Sequence, residues 1–186
     1  MKKVKIFTVL CCAALICVMI GCSKKQTPAP AAQKEAGKKT IKISMVAKSS
    51  TNPVFLSART GAEAAARDLS KKYGINIIID WRTPPTEDGQ VQAQRISQSV
   101  NEGANAILVS CSDAGKITGA INDAVDRGVP VMTFDSDAPK SKRFAFYGVD
   151  DIKTGRLVMK ELAVAMGGKG NIAILAGNQN APNLQK

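Results

Sequence analysis

From residue 41 onward, short β-branched runs alternate with longer stretches whose apolar residues recur at helical spacing, and this alternation leaves few architectures open. Strands separated by helices run parallel, and a parallel sheet needs cover on both faces, so the chain reads as an α/β fold with a doubly wound, mostly parallel sheet. Residues 41–46 form the expected first strand. Asn52-Pro53 opens a helix, because Asn suits the N-cap and Pro is tolerated at the first helical position. Its inner stripe is Phe55, Ala58, Ala62, Ala65, Ala66 and Leu69, and Tyr73-Gly74 ends it. Residues 75–80 are a second strand, and Thr86-Glu87-Asp88 starts a second helix with Ala93, Ile96 and Val100 inward. A third strand at 104–110 precedes a helix capped by Asp113, with the stripe Ile117, Ala120, Ile121, Ala124 and Val125. Strands at 129–134 and 144–149, a helix at 154–166 and a sixth strand at 171–176 complete the series. Residues 135–143 leave little room for a helix where parallel crossovers usually need about a dozen residues or more, so the geometry there stays open.

The first 40 residues have a different character. Lys2, Lys3 and Lys5 precede an uncharged, mostly apolar run at 6–20, too short for a spanning helix of about 20 residues, and small Gly21 stands before Cys22. This is the layout of an export signal. The ending Met19-Ile20-Gly21-Cys22 resembles the lipobox of bacterial lipoproteins, although Met19 replaces the usual leucine. The resemblance implies a signal peptide at 1–21 and a diacylglycerol on Cys22, which would hold the mature chain to a membrane; an uncleaved anchor or a plain secretory signal is the alternative. Residues 23–39, rich in Lys, Ala, Pro and Gln, read as a flexible linker, so 22–40 would be anchor and leash.

The export reading also redistributes charge and cysteine. Of the formal +11, three lysines belong to the signal and +4 to residues 23–39, and the 18 basic and 14 acidic residues from Thr40 onward leave +4. The basic residues are scattered and the aromatics do not interleave with them, so nucleic acid is not an expected partner. Cys11, Cys12 and Cys17 leave with the signal and Cys22 is the tether. Cys111 then remains, in an apolar strand pattern that suits a small inert hydrophobe better than a nucleophile. The chain has no histidine, which removes Ser-His and Cys-His catalysis and the commonest metal ligand.

In open α/β sheets, ligands bind beyond the carboxyl ends of the strands. Those positions are polar here: 48–52, 80–82, 110–113, 135–137, then Asn178, Gln179, Asn180 and Asn183. Carboxylates and amides suit a polyhydroxylated ligand, whose hydroxyls both donate and accept. Phe55 and Trp81 offer aromatic faces for a sugar ring, but Phe55 serves equally as a core residue, and Trp81 reads first as a packing or surface residue. Asp135 either caps its loop or faces the ligand from the end of a buried strand.

Five stretches together resemble the periplasmic sugar-binding proteins of ABC importers, the ribose- and galactose-binding group. They are Ser50-Thr51-Asn52-Pro53-Val54-Phe55, Gly61-Ala62-Glu63-Ala64-Ala65-Ala66, Val131-Met132-Thr133-Phe134-Asp135-Ser136-Asp137, Gly148-Val149-Asp150-Asp151, and Gly155. The resemblance spans residues 41–186 and implies a two-lobed fold, with an N-terminal α/β lobe at 41–149 and the start of a second at 150–186. It assigns sugar contact to Asn52, Phe55, Asp135, Ser136 and Asn183, with Trp81 a further candidate. Val54 and Ser136 stand where many members carry an aromatic and a basic residue, which leaves the sugar's identity open. One helix and one strand cannot bury a second core, so the chain is expected to be part of a longer protein or a nonfunctional truncated remnant.

The function implied is the binding component of an ABC sugar importer, not an enzyme, needing no cofactor or metal, with a small sugar, a membrane permease and a lipid-anchored membrane surface as partners. The alternative within the same fold is a receptor for another small polyol or a furanosyl signalling molecule. The related lactose-repressor family begins with a helix-turn-helix, where this chain has a lipobox and linker. The stretch Gly167-Gly168-Lys169-Gly170 precedes a strand pattern and lacks the phosphate-loop spacing, which argues against a nucleotide-using enzyme. Cys22→Ser is expected to abolish incorporation of labelled palmitate and to release the chain into the soluble envelope fraction; labelling that persists would place the lipid elsewhere.

Overall fold

The computed structural model describes residues 37–185. Cys22, the signal and most of the linker lie outside them. The order of elements is β1 (Thr40–Val46), α1 (Pro53–Tyr73), β2 (Asn76–Trp81), α2 (Gly89–Asn101), β3 (Ala106–Val109), α3 (Ala114–Asp126), β4 (Val131–Phe134), β5 (Ala145–Tyr147) and α4 (Asp151–Ala165), followed by a 3-10 turn at Pro182–Leu184. The strands form one five-stranded sheet in the order β2-β1-β3-β4-β5, and every pairing is parallel. The expected doubly wound α/β arrangement is present.

Local chemistry sets the helix starts. Asn52, Asp88, Asp113 and Asp150 are N-caps whose side chains accept backbone N–H groups of the first turn. Asp88 therefore lies just outside α2, with Oδ1 bonded to Gln90 N at 2.7 Å and Val91 N at 3.1 Å. Gly74, at φ 66°, closes α1 in the left-handed conformation that glycine adopts without a Cβ penalty.

The main core lies between the sheet and the α2/α3 pair. Val46, Ile107, Val109 and Val131 point from the strands into Ile96, Val100, Ile117, Ile121 and Ala124. Alternation puts Ile43, Leu108, Met132 and Phe134 on the opposite face, where α1 packs against β2. Gly89 permits the close approach of α2 to α3, since a Cβ there would meet Asp113 Cβ at 2.8 Å.

One expectation changes and one open point is settled. The 171–176 segment forms no strand, and Ile174 and Leu175 are 86% and 100% exposed. Its apolar β-branched pattern lacks a neighbouring ladder among the described residues, and a strand exists only through such pairing. The β4–β5 link, left open by the sequence, joins two parallel strands without a helix. It runs back along α3, where Lys142 N–H donates to Asn122 Oδ1 at 2.7 Å and Lys142 Nζ pairs with Asp126 at 2.6 Å.

Gln92 is a buried polar residue on the inner face of α2. Its Nε2 donates to Ala47 O at 2.9 Å and Ser110 O at 2.7 Å, and its Oε1 accepts from Ser112 N at 2.9 Å. Gln92→Leu keeps most of the volume and strands these backbone groups. It is expected to lower the free energy of unfolding in urea by about 2–4 kcal/mol; a change inside experimental error would remove Gln92 from the framework.

Candidate functional site

The carboxyl ends of β1, β3 and β4 converge on a cluster of polar side chains. Lys48, just after β1, is only 5% exposed, and a buried ammonium needs partners to offset its desolvation. Its Nζ donates to Asn183 Oδ1 at 3.0 Å and lies 3.4 Å from Asp135 Oδ2. The same carboxylate oxygen accepts from Ser110 Oγ at 2.7 Å. Two of the expected site residues, Asp135 and Asn183, are thus joined through a lysine that the sequence showed only as one of several polar loop residues.

Asp135 has a positive φ of 58°. The 2.6 Å bond from Ser136 N to Phe134 O makes it the middle residue of a three-residue turn, a strained state that costs about 1–3 kcal/mol and tends to mark functional sites. Ser136 is buried next to it. Its Oγ and that of Ser112 have no hydrogen-bond partner among the described residues.

The other expected residues are engaged elsewhere. Asn52 Oδ1 is used by the cap, accepting from Val54 N at 3.0 Å. The loop that carries it is held by Ser50 N to Pro84 O at 2.8 Å and by Ser49 Oγ to Pro85 O at 2.9 Å. Phe55 is buried in the first turn of α1. Trp81 is the last residue of β2 rather than a loop residue, half-buried, with the Arg59 guanidinium 5.4 Å from its ring centroid. Asp80 and Arg82 pair with each other at 2.8 Å, and Arg82 also bonds Glu102, whose hydrogen bond pushes the guanidinium pKa up.

Two residues beyond Asp135, Asp137 accepts from Thr133 Oγ1 at 2.6 Å, Ala138 N at 2.8 Å and the Arg143 fork at 2.5 and 2.6 Å. Burial opposes ionisation of this carboxyl, but the bonds from Arg143, Thr133 and Ala138 outweigh it and hold the carboxyl below its ordinary range. Cys111 is buried beside these groups, and burial pushes its thiol pKa up, which keeps it protonated and inert.

Convergent donors and acceptors at the carboxyl ends of a parallel sheet are the arrangement in which α/β folds bind small ligands. The chain belongs to the periplasmic binding protein family: the model of the periplasmic binding protein domain matches residues 43–186. The type I fold of that family agrees with solved structures. A glucose-galactose binding protein from Geobacillus stearothermophilus superposes with a TM-score of 0.70 at 25% identity, over 80% of this chain and 51% of that one. An ABC transporter solute binding protein from Burkholderia graminis, solved with D-arabinose, gives 0.71 at 26% identity, over 80% and 49%. Among curated relatives, the ribose import binding protein of Bacillus subtilis is 29% identical over 140 residues, 75% of this chain and 44% of that protein. The chain spans somewhat under half the length of such relatives.

The Asp137 carboxyl ionises at lower pH folded than unfolded, so its contribution to stability is complete above about pH 4 and is lost as pH falls further. Asp137→Asn is expected to lower stability at neutral pH and to flatten the acid limb, as checked by urea unfolding at a series of pH values. A variant with an unchanged acid limb would assign that limb to other carboxyls.

Proposed function

We propose that this chain is a sugar-binding component of an ABC importer, exported and lipid-anchored through Cys22. In this reading it takes a monosaccharide into the cleft beyond β1, β3 and β4 and delivers it to a membrane permease. The observation that carries the proposal is the cluster of Lys48, Ser110, Asp135 and Asn183. It sets an ammonium, a hydroxyl, a carboxylate and an amide within reach of one another, the mixture of donors and acceptors that adjacent sugar hydroxyls require. Charge balance supports an uncharged ligand, since Lys48 is paired with Asp135 and Arg143 with Asp137. Asn52, with its Nδ2 outside the cap, Phe55 and Ser136 would extend the contact surface, while Trp81 already carries Arg59 over its ring. Ligand entry would draw the two lobes together by hinge bending, and the closed form would dock on the permease.

A second reading, a receptor for a furanosyl signalling molecule, is favoured by one observation. LsrB from Clostridium saccharobutylicum, solved with AI-2, superposes with a TM-score of 0.61 at 25% identity.

Titration calorimetry of the full-length chain against pentoses, hexoses, inositols and AI-2 separates the readings. Saturable heat is expected with a pentose or hexose, and Asp135→Ala is expected to weaken it by about 100-fold or more, because the ligand loses a charged acceptor and Lys48 is left buried without its counter-ion. Heat with AI-2 alone would favour the receptor, and heat with none of them would sink both.

A further inference from the structure

Among the described residues, Asp135 is the only non-glycine with a positive φ. A strained backbone persists only where its surroundings over-determine it, and three contacts do so. Thr133 Oγ1 donates to Asp137 Oδ1 at 2.6 Å, which ties together the residues two before and two after Asp135. Arg143 Nε and Nη2 grip the two oxygens of Asp137 at 2.5 and 2.6 Å, which fastens the turn to the approach to β5. β5 then returns the constraint, because Asp135 N–H donates to Tyr147 O at 3.0 Å. The contacts close a ring around the turn, while the Asp135 carboxylate is directed away from it, to Ser110 and Lys48.

Thr133 and Asp137 are buried, and every bond of the Asp137 carboxylate is made inside this ring. The pair is therefore not placed to touch a ligand. A planar guanidinium fork also fixes direction in a way that a single ammonium does not.

We propose that the ion pair of buried Asp137 with half-buried Arg143 is a positioning clamp for ligand recognition: it holds Asp135 in its left-handed turn, aims the carboxylate at Ser110 and Lys48, and so sets affinity without contacting the ligand. The proposal rests on the reading that Asp135 contacts a bound sugar. It also links recognition to the chain's exit from the sheet, since the carbonyl that receives the Asp135 N–H belongs to the last residue of β5. Immediately beyond it, Gly148 lies so close to the Phe146 ring that a Cβ would fall 2.3 Å from it.

The test uses the full-length chain with Arg143→Met, Arg143→Lys and the milder Thr133→Val. D-ribose affinity is measured by calorimetry, and the backbone conformation of residue 135 by NMR chemical shifts. Arg143→Met is expected to weaken D-ribose binding by about tenfold or more, with Arg143→Lys intermediate because an ammonium still reaches one carboxylate oxygen. In Arg143→Met, residue 135 is expected to leave the left-handed region, and in Thr133→Val to populate other conformations. D-ribose affinity unchanged in a folded Arg143→Met variant, or a residue 135 that stays left-handed in both variants, overturns the clamp. A wild-type chain that binds no sugar defeats the sugar reading instead, and the chemical shifts then decide the clamp by themselves.

Discussion

Gln92 lies on the buried side of α2 and bonds three backbone groups that no strand ladder satisfies: the carbonyls of Ala47 and Ser110 and the N–H of Ser112. These groups belong to the points where β1 and β3 give way to loops, next to Lys48 and Ser110. Without the amide, the ends of two neighbouring strands would carry unpaired polar groups in an apolar interior, at about 1–3 kcal/mol for each. The loops would then move to find water, and the relation between Lys48 and Asp135 would move with them. The polar cluster is set in place by a side chain that is no part of it.

Beyond that support, the site is a balance of strain and charge. Asp135 pays for its turn in backbone energy, and the contacts from Thr133 through Arg143 to Tyr147 hold it there. Buried Lys48 has Asp135 beside it, and buried Asp137 has half-buried Arg143, so neither charge stands alone.

Much of the framework was legible because its signals are local. The caps at Asn52 and Asp113 and the stripe Ile117, Ile121 and Ala124 depend only on neighbours along one helix, and all are found where the pattern places them. Asp135 could be singled out because it follows the carboxyl end of β4, where ligands collect in this architecture, whereas Asn183 was indicated by the family resemblance, since the strand expected before it does not form. Lys48 passed as an ordinary loop lysine, since nothing in its neighbourhood in sequence reveals that it is buried. Gln92 left a usable clue: it sits one turn before Ile96 on the inward face. The 171–176 segment misled for the opposite reason, because its β-branched run states a preference that only a partner strand can realise.

By itself, then, the order of residues determined an α/β lobe with a parallel sheet, the starts and inner faces of its helices, and the polar residues that follow its strands. Periodicity and capping act over a few residues and need no knowledge of the fold. Tertiary structure decided which of those polar residues meet. It joined Lys48 to Asp135 and Asn183, placed Arg59 over Trp81, set β5 parallel to β4 without a helix, and held Asp135 in a strained turn. Long-range hydrogen bonds and ion pairs arise only when segments far apart in the chain are packed together, so no local pattern could have announced these partners.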